Sequence, residues 1–210
     1  MAAPKPCADL TLKAALDPLN PVDPTLGETA LPIQGRKIEF ASPLKKGAYQ
    51  LFWELGSGTD GKAFLALNQA GKRVTIKRVP LSKTTLGQSN LQEWVTLHNE
   101  AMDWLNRHGH PRSIKIKEAF IESGAIYLVK PYIPGFDFPH LESLIQDPTR
   151  LKTMKTLLDQ KMEHLKELEP KASKLPLRNF GHRHRPFDSS EENYVWFKGE
   201  WYFIDPIKMP

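Results

Sequence analysis

Cysteine is all but missing from this sequence. Cys7 is the only one in 210 residues, so no intramolecular disulfide can brace the chain. A disulfide-framed secreted scaffold is excluded, and a lone thiol fits a reducing compartment. Long apolar runs are missing as well. None approaches the roughly 20 residues that a membrane-spanning helix needs, and the N-terminus lacks the continuous apolar core of a secretory signal peptide. Nor is there a strong excess of one charge: 29 Lys and Arg face 24 Asp and Glu, a net charge of +5. The basic residues are interleaved with acids in every segment, and the densest cluster is only "GHRHR", Gly181 to Arg185. A polyanion-binding surface is one reading of this charge, and a solvated basic surface that also accepts a nucleotide is the favoured one. Nucleic acid is not an expected partner, since it leaves the acid and amide spacing near the C-terminus unexplained.

What the sequence has in plenty near its start is proline. Pro4, Pro6, Pro18, Pro21, Pro24 and Pro32 fall among small residues, a spacing that blocks long helices and leaves little to bury. Residues 1–35 are expected to form a flexible leader, which suits an export tag. The remaining length accommodates one domain or two small lobes.

From Arg36 to Lys130 the pattern is mainly strand. "KIEF", "YQLFWEL", "KAFLAL", "RVTIKRV", "IKIKEAFI" and "AIYLVK" are rich in β-branched and aromatic residues. One helix interrupts them: Leu91, Trp94, His98, Ala101 and Leu105 recur at helical spacing until Gly109 and Pro111. A second helix is predicted to open at Asp147-Pro148, to carry Leu151, Met154, Leu158, Leu165 and Leu168 on one face, and to stop at Pro170. "YVWFKGEWYFI" reads as a hairpin turning at Lys198-Gly199-Glu200. The expected class is α+β, with a strand-rich part at 36–130 and a helical part with one hairpin at 131–210.

Gly56, Gly58 and Gly61 spell G-x-G-x-x-G, and a strand rather than a helix follows them. The glycines thus bridge two antiparallel strands, as a flap whose bare backbone N–H groups can approach phosphates. Lys77, sixteen residues after Gly61, lies on the next strand, placed to reach an α- or β-phosphate. A carboxylate could fix its direction. Glu100, flanked by Leu97 and Trp104 on the helix, is the first choice, and Glu93 is its competitor. Near the C-terminus Asp188 precedes Asn193 by five residues, and the hairpin between Asn193 and Asp205 brings those two together. Asn193 and Asp205 offer the hard oxygen ligands that Mg²⁺ prefers, and Asp188 could orient an attacking hydroxyl.

On these motifs, over roughly residues 50–207, the chain resembles the protein kinase superfamily. "LGSGTDGKAFLA" looks like the glycine-rich loop and "VTIK" like the strand carrying the ATP-binding lysine. "DSSEEN" matches the catalytic-loop spacing of aspartate and asparagine, and "IDPI" stands where D-F-G would stand. The resemblance implies a bilobal fold with a strongly reduced C-terminal lobe, and ATP and Mg²⁺ as cofactors. It implies Asp188 as catalytic base, Lys77 with Glu100 as the phosphate-orienting pair, and Asn193 and Asp205 as metal ligands. Gly56, Gly58, Gly61 and Lys77 would bind the nucleotide, with Lys130 at the gatekeeper position and Tyr132 in the hinge. Three departures stand beside it. Pro186-Phe187 replace the usual His-Arg, Pro206-Ile207 replace Phe-Gly, and the chain ends five residues after Asp205, without an activation segment.

A kinase this short is similar to minimal kinases that pathogenic bacteria deliver into host cells by type III secretion. Among them it most resembles the family that phosphorylates the eukaryotic ninety-kilodalton heat-shock chaperone. The resemblance implies a Ser/Thr protein kinase secreted into the host cytoplasm, a host protein substrate, and a secretion chaperone that binds the leader. The alternatives are a small-molecule kinase of the aminoglycoside or choline type, and a pseudokinase binding module.

Overall fold

The computed structural model describes residues 36–38, 43–45, 48–110, 112–172, 175, 187–205, 207 and 210. The expected leader at 1–35 and the His182–Arg185 cluster lie outside these residues, as do Pro186 and Pro206. The described chain is α+β. A six-stranded, wholly antiparallel sheet runs in the order β1-β2-β3-β4-β6-β5. Its strands are β1 (Arg36–Lys37), β2 (Tyr49–Ser57), β3 (Lys62–Asn68), β4 (Arg73–Pro80), β5 (Glu118–Glu122) and β6 (Ala125–Pro131). Helix α1 (Leu91–Arg107) connects β4 to β5, while α2 (Phe138–Leu144) and α3 (Pro148–Ala172) follow β6. The chain returns in a separate hairpin of β7 (Tyr194–Phe197) and β8 (Glu200–Phe203).

Period-two alternation divides the sheet into two apolar faces. Val74 and Ile76 of β4 pack with Tyr127 and Val129 of β6 on one side. Val79, Ile126 and Leu128 turn to the other, where they meet Trp94, Met102 and Leu105 of α1. Leu158 and Leu165 of α3 and Tyr194, Trp201 and Phe203 of the hairpin complete that second cluster. One core therefore spans the expected boundary at residue 130.

Helix α1 buries the stripe its periodicity predicts, Leu91, Trp94, His98, Ala101 and Leu105. It ends where Gly109 takes a φ of 84°, a conformation that costs a residue with a Cβ more than it costs glycine. Helix α3 opens as predicted, with Asp147 Oδ1 accepting from the amides of Thr149 and Arg150 at 2.9 and 3.3 Å. It does not stop at Pro170 but runs on to Ala172. Pro170 is exposed, and burial of Leu168 and Ala172 beside it offsets the lost backbone hydrogen bond.

Helix α2 is not among the elements expected from the sequence; Asp137 caps it by accepting from the His140 amide, and Pro139 lies in its first turn. "IKIKEAFI" becomes strand only from Glu118. Before that, the Asn99 side chain exchanges two 2.8 Å hydrogen bonds with the backbone of Ile116, and Ile114 N donates to Phe203 O at 3.0 Å. The segment is diverted from the sheet to tie α1 to the hairpin.

Candidate functional site

Strands β2 and β3 meet at the glycine loop, where Ser57 pairs with Lys62 and Gly58 N donates to Gly61 O at 2.8 Å. The loop joins antiparallel strands, as the sequence predicts. The three glycines differ in kind. A Cβ on Gly61 would lie 2.1 Å from Arg78 O, so the neighbouring strand demands glycine there. A Cβ on Gly56 or Gly58 would meet nothing within 4 Å. Those two are exposed backbone with open space before them.

On β4 and β6, Lys77 and Lys130 share the sheet face that carries Val79, Ile126 and Leu128. Lys77 pairs with Leu128, and Lys130 stands two residues along, opposite Thr75. Asp205, just beyond the end of β8, reaches both. Its Oδ2 accepts from Lys77 Nζ and its Oδ1 from Lys130 Nζ at 2.9 Å. Lys130 Nζ also donates to Ile204 O at 2.9 Å, and Asp60 of the glycine loop lies 3.9 Å from Lys77 Nζ. Two cations from the sheet thus hold one carboxylate from the hairpin, across 128 and 75 residues of sequence.

Burial alone pushes the Asp205 carboxyl up, but the charges of Lys130 and Lys77 outweigh it and hold the group well below the usual carboxylate range. Burial pushes the Lys130 ammonium down, against the pull of Asp205. His98 comes next to this cluster from α1. Desolvation, and then the Lys130 charge, push its imidazole down to about 3, so it is neutral.

The expected pairing of Glu100 with Lys77 is not formed. Glu100 is exposed, as is Glu93, and the acids at Lys77 are Asp205 and Asp60. The reason is rotational. His98 holds the inward position on α1, and a residue two further on lies about 200° around the helix. Lys130, expected at the gatekeeper position, lies buried against Asp205, with 5% of its surface exposed. Tyr132 packs on Phe52, Leu65 and Leu67, and burial pushes its phenol up to about 12. His98 and Asp60 were missed as neighbours of Lys77. The buried stripe on α1 located His98, but its residue type did not point to the charges.

The hairpin does what its spacing predicts. Tyr194 pairs with Phe203, and Ile204 N donates to Asn193 O at 2.8 Å, so Asn193 lies beside the backbone that leads to Asp205. Asn193 Nδ2 donates to Asp188 O and Ser190 Oγ at 3.1 and 3.2 Å, which closes the Asp188–Asn193 turn. Asp188 Oδ1 accepts from the amide and hydroxyl of Ser190.

Among the described residues no three His, Cys, Asp or Glu side chains gather into a metal cage. The donors present are nonetheless all oxygen: Asp188, the Asn193 amide and Asp205. Each Asp205 oxygen accepts from one lysine and keeps a second lone pair. That set fits a Mg²⁺ ion held by few protein ligands together with phosphates.

No family model matches the chain, and comparison with curated proteins gives no match. Among the described residues, no helix is long and apolar enough to cross a membrane.

Proposed function

We propose that this chain is a phosphotransferase of the protein kinase type, which moves the γ-phosphate of ATP to a Ser or Thr hydroxyl of a partner protein. The observation that carries the reading is the ion pair between Lys77 and Asp205. It brings β4, the second strand after the glycine loop, against the segment that ends the hairpin holding Asn193, and so sets the proposed phosphate-binding lysine beside the proposed metal-binding carboxylate. On this reading the sheet with α1 is one lobe, and α2, α3 and the hairpin form a reduced second lobe.

The open backbone at Gly56 and Gly58 receives the phosphates, and Lys77 swings from Asp205 to them. Lys130 remains on Asp205, so the carboxylate keeps a cation when Lys77 leaves. Asp205 and the Asn193 amide would hold Mg²⁺, which when bound would supply neutralisation of phosphate charge. Asp188 orients the attacking hydroxyl and takes its proton as the bond to phosphorus forms and the bond to the departing ADP oxygen breaks. Positioning and charge carry the rate, and no covalent enzyme intermediate is needed.

The substrate class and setting follow the resemblance: a secreted bacterial effector acting in the host cytoplasm, with the ninety-kilodalton heat-shock chaperone as the first target to test. One observation favours a second reading. Lys77 lacks a helix carboxylate and Asp205 is occupied by two lysines, an arrangement that also suits a pseudokinase binding module.

The test is transfer of labelled γ-phosphate from Mg-ATP into eukaryotic cytosolic extract by the wild type, Asp188→Asn and Asp205→Asn. We expect one dominant labelled protein with the wild type and at least about a hundredfold less label with either variant. Nucleotide binding without any labelled protein would establish the binding module instead. Full transfer by Asp205→Asn would remove the assigned site.

A further inference from the structure

At the turn end of the hairpin, away from Asn193 and Asp205, lies a cleft of about 330 Å³. Three segments wall it. Helix α3 contributes Leu157, Lys161 and His164, which at i, i+4 and i+7 share one face. The hairpin contributes Trp196, Trp201 and Glu200, and the stretch after α1 contributes Gly109 and Arg112.

The wall combines an exposed apolar side chain with aromatic and charged groups. Leu157, 40% exposed, is the one large hydrophobic side chain left exposed among the described residues. Beside it the Trp196 and Trp201 rings pack edge to face at 5.2 Å, with the Trp201 indole fixed by donation to Met154 O at 3.1 Å. Arg112 is held at a φ of 69°, unusual for a residue with a Cβ. Its Nε donates to Glu200 Oε2 at 2.6 Å, and its guanidinium lies over the Tyr202 ring at 5.6 Å.

Glu200, the one acid in the wall, is therefore already engaged. Lys161 is half-buried, and among the described residues no carboxylate comes within ion-pair distance of it. Burial pushes its ammonium down, and Glu200 opposes this only at longer range. A cation partly out of water without a counter-ion is costly, and an incoming carboxylate relieves that cost.

We propose that this cleft is a docking site for an acidic segment of a partner protein, which seats an apolar side chain against Leu157 and the two tryptophans and a carboxylate on Lys161. Two features select a protein segment over a small ligand. Leu157 is a large hydrophobic side chain left exposed on the wall, and the exposed Gly199 and Glu200 leave the cleft open for a chain to pass. The volume lies at the lower bound for small-molecule pockets, about 300 Å³, and suits one apolar side chain with its flanking backbone. The proposal stands independently of the phosphotransfer reading.

The test is fluorescence anisotropy of a labelled peptide of alternating Glu and Leu, titrated with the full chain. Saturable binding is expected, weakened about tenfold or more by Lys161→Glu and by Leu157→Asp. The exposed Lys152 on the same helix gives a control of equal charge change, and Lys152→Glu should leave affinity within about twofold. The same peptide with Gln for Glu should bind at least about tenfold more weakly. Asp205→Asn should keep peptide affinity even where it abolishes transfer, so the two readings fail separately. Absence of saturable binding overturns the proposal, and so does an equal loss in Lys152→Glu and Lys161→Glu. Leu157→Asp, at an exposed position, keeps the test valid if Lys161→Glu folds poorly.

Discussion

Lys130 carries a charge that the interior tolerates only because Asp205 and Ile204 O meet it. That dependence makes the pair asymmetric. Asp205→Ala leaves a buried ammonium with no carboxylate, which should cost about 3–5 kcal/mol in urea denaturation. Lys130→Met leaves Asp205 with Lys77 and some contact with solvent, its side chain being 27% exposed. It should cost clearly less, and the double variant should cost less than the two single changes together.

Two histidines set a second residue-scale expectation. His98 is pushed down to about 3 and His110 to about 4, each chiefly by burial. The unfolded chain protonates both near the ordinary value of about 6.5. Their folded pKa values are depressed, so stability is full above that value and falls as the pH drops toward 4. Each histidine should contribute up to about 1.4 kcal/mol per pH unit in that window. Urea midpoints at pH 7, 6 and 5 check the slope; half the slope would show that one of them takes up a proton in the folded state, and a flat profile that both do.

At the scale of elements, the glycine loop separates structural need from functional openness. Gly61→Ala drives a Cβ into Arg78 O and should cost about 1–3 kcal/mol. Gly58→Ala meets nothing and should leave stability within about 0.5 kcal/mol while weakening nucleotide binding. Thermal melts with and without Mg-ATP distinguish the two. The β7–β8 hairpin turns through Lys198 and Gly199, at φ values of 52° and 83°. Both central residues are left-handed, as in the two-residue turns that match strand twist. Lys198→Asn, which tolerates that region better, should raise stability by a few tenths of a kcal/mol to about 1 kcal/mol.

For the whole molecule, the hairpin is held by the core it shares with the sheet and by long-range polar contacts. Asp205 meets the two lysines, the 112–114 stretch bonds to Phe203, and Ile207 joins the core beyond β8. There Ile207 is 2% exposed and Thr85 N donates to Pro210 O at 2.8 Å. Ile207→Ala should therefore cost about 2–4 kcal/mol in urea denaturation, although it lies only three residues from the C-terminus.

The sequence by itself determined what depends on near neighbours. The alternation of β4 and β6, the buried stripe of α1, the Asp147 cap, the antiparallel strands at the glycines and the hairpin that brings Asn193 to Ile204 all follow from periods of a few residues and from turn chemistry. Only the tertiary structure decided which charges meet. Glu100 and His98 stand two residues apart, and local pattern placed His98 on the apolar stripe and Glu100 at its border, where it could still point toward the sheet. Packing of Trp94, Ala101 and Leu105 then fixed the rotation of α1 and turned His98 inward and Glu100 out. Lys130 looked like a strand residue facing a ligand until the hairpin placed Asp205 above it. The Lys161 cleft arises where three distant segments happen to converge. Long-range pairing of charges is set by how whole elements dock, and no spacing within one segment carries that information.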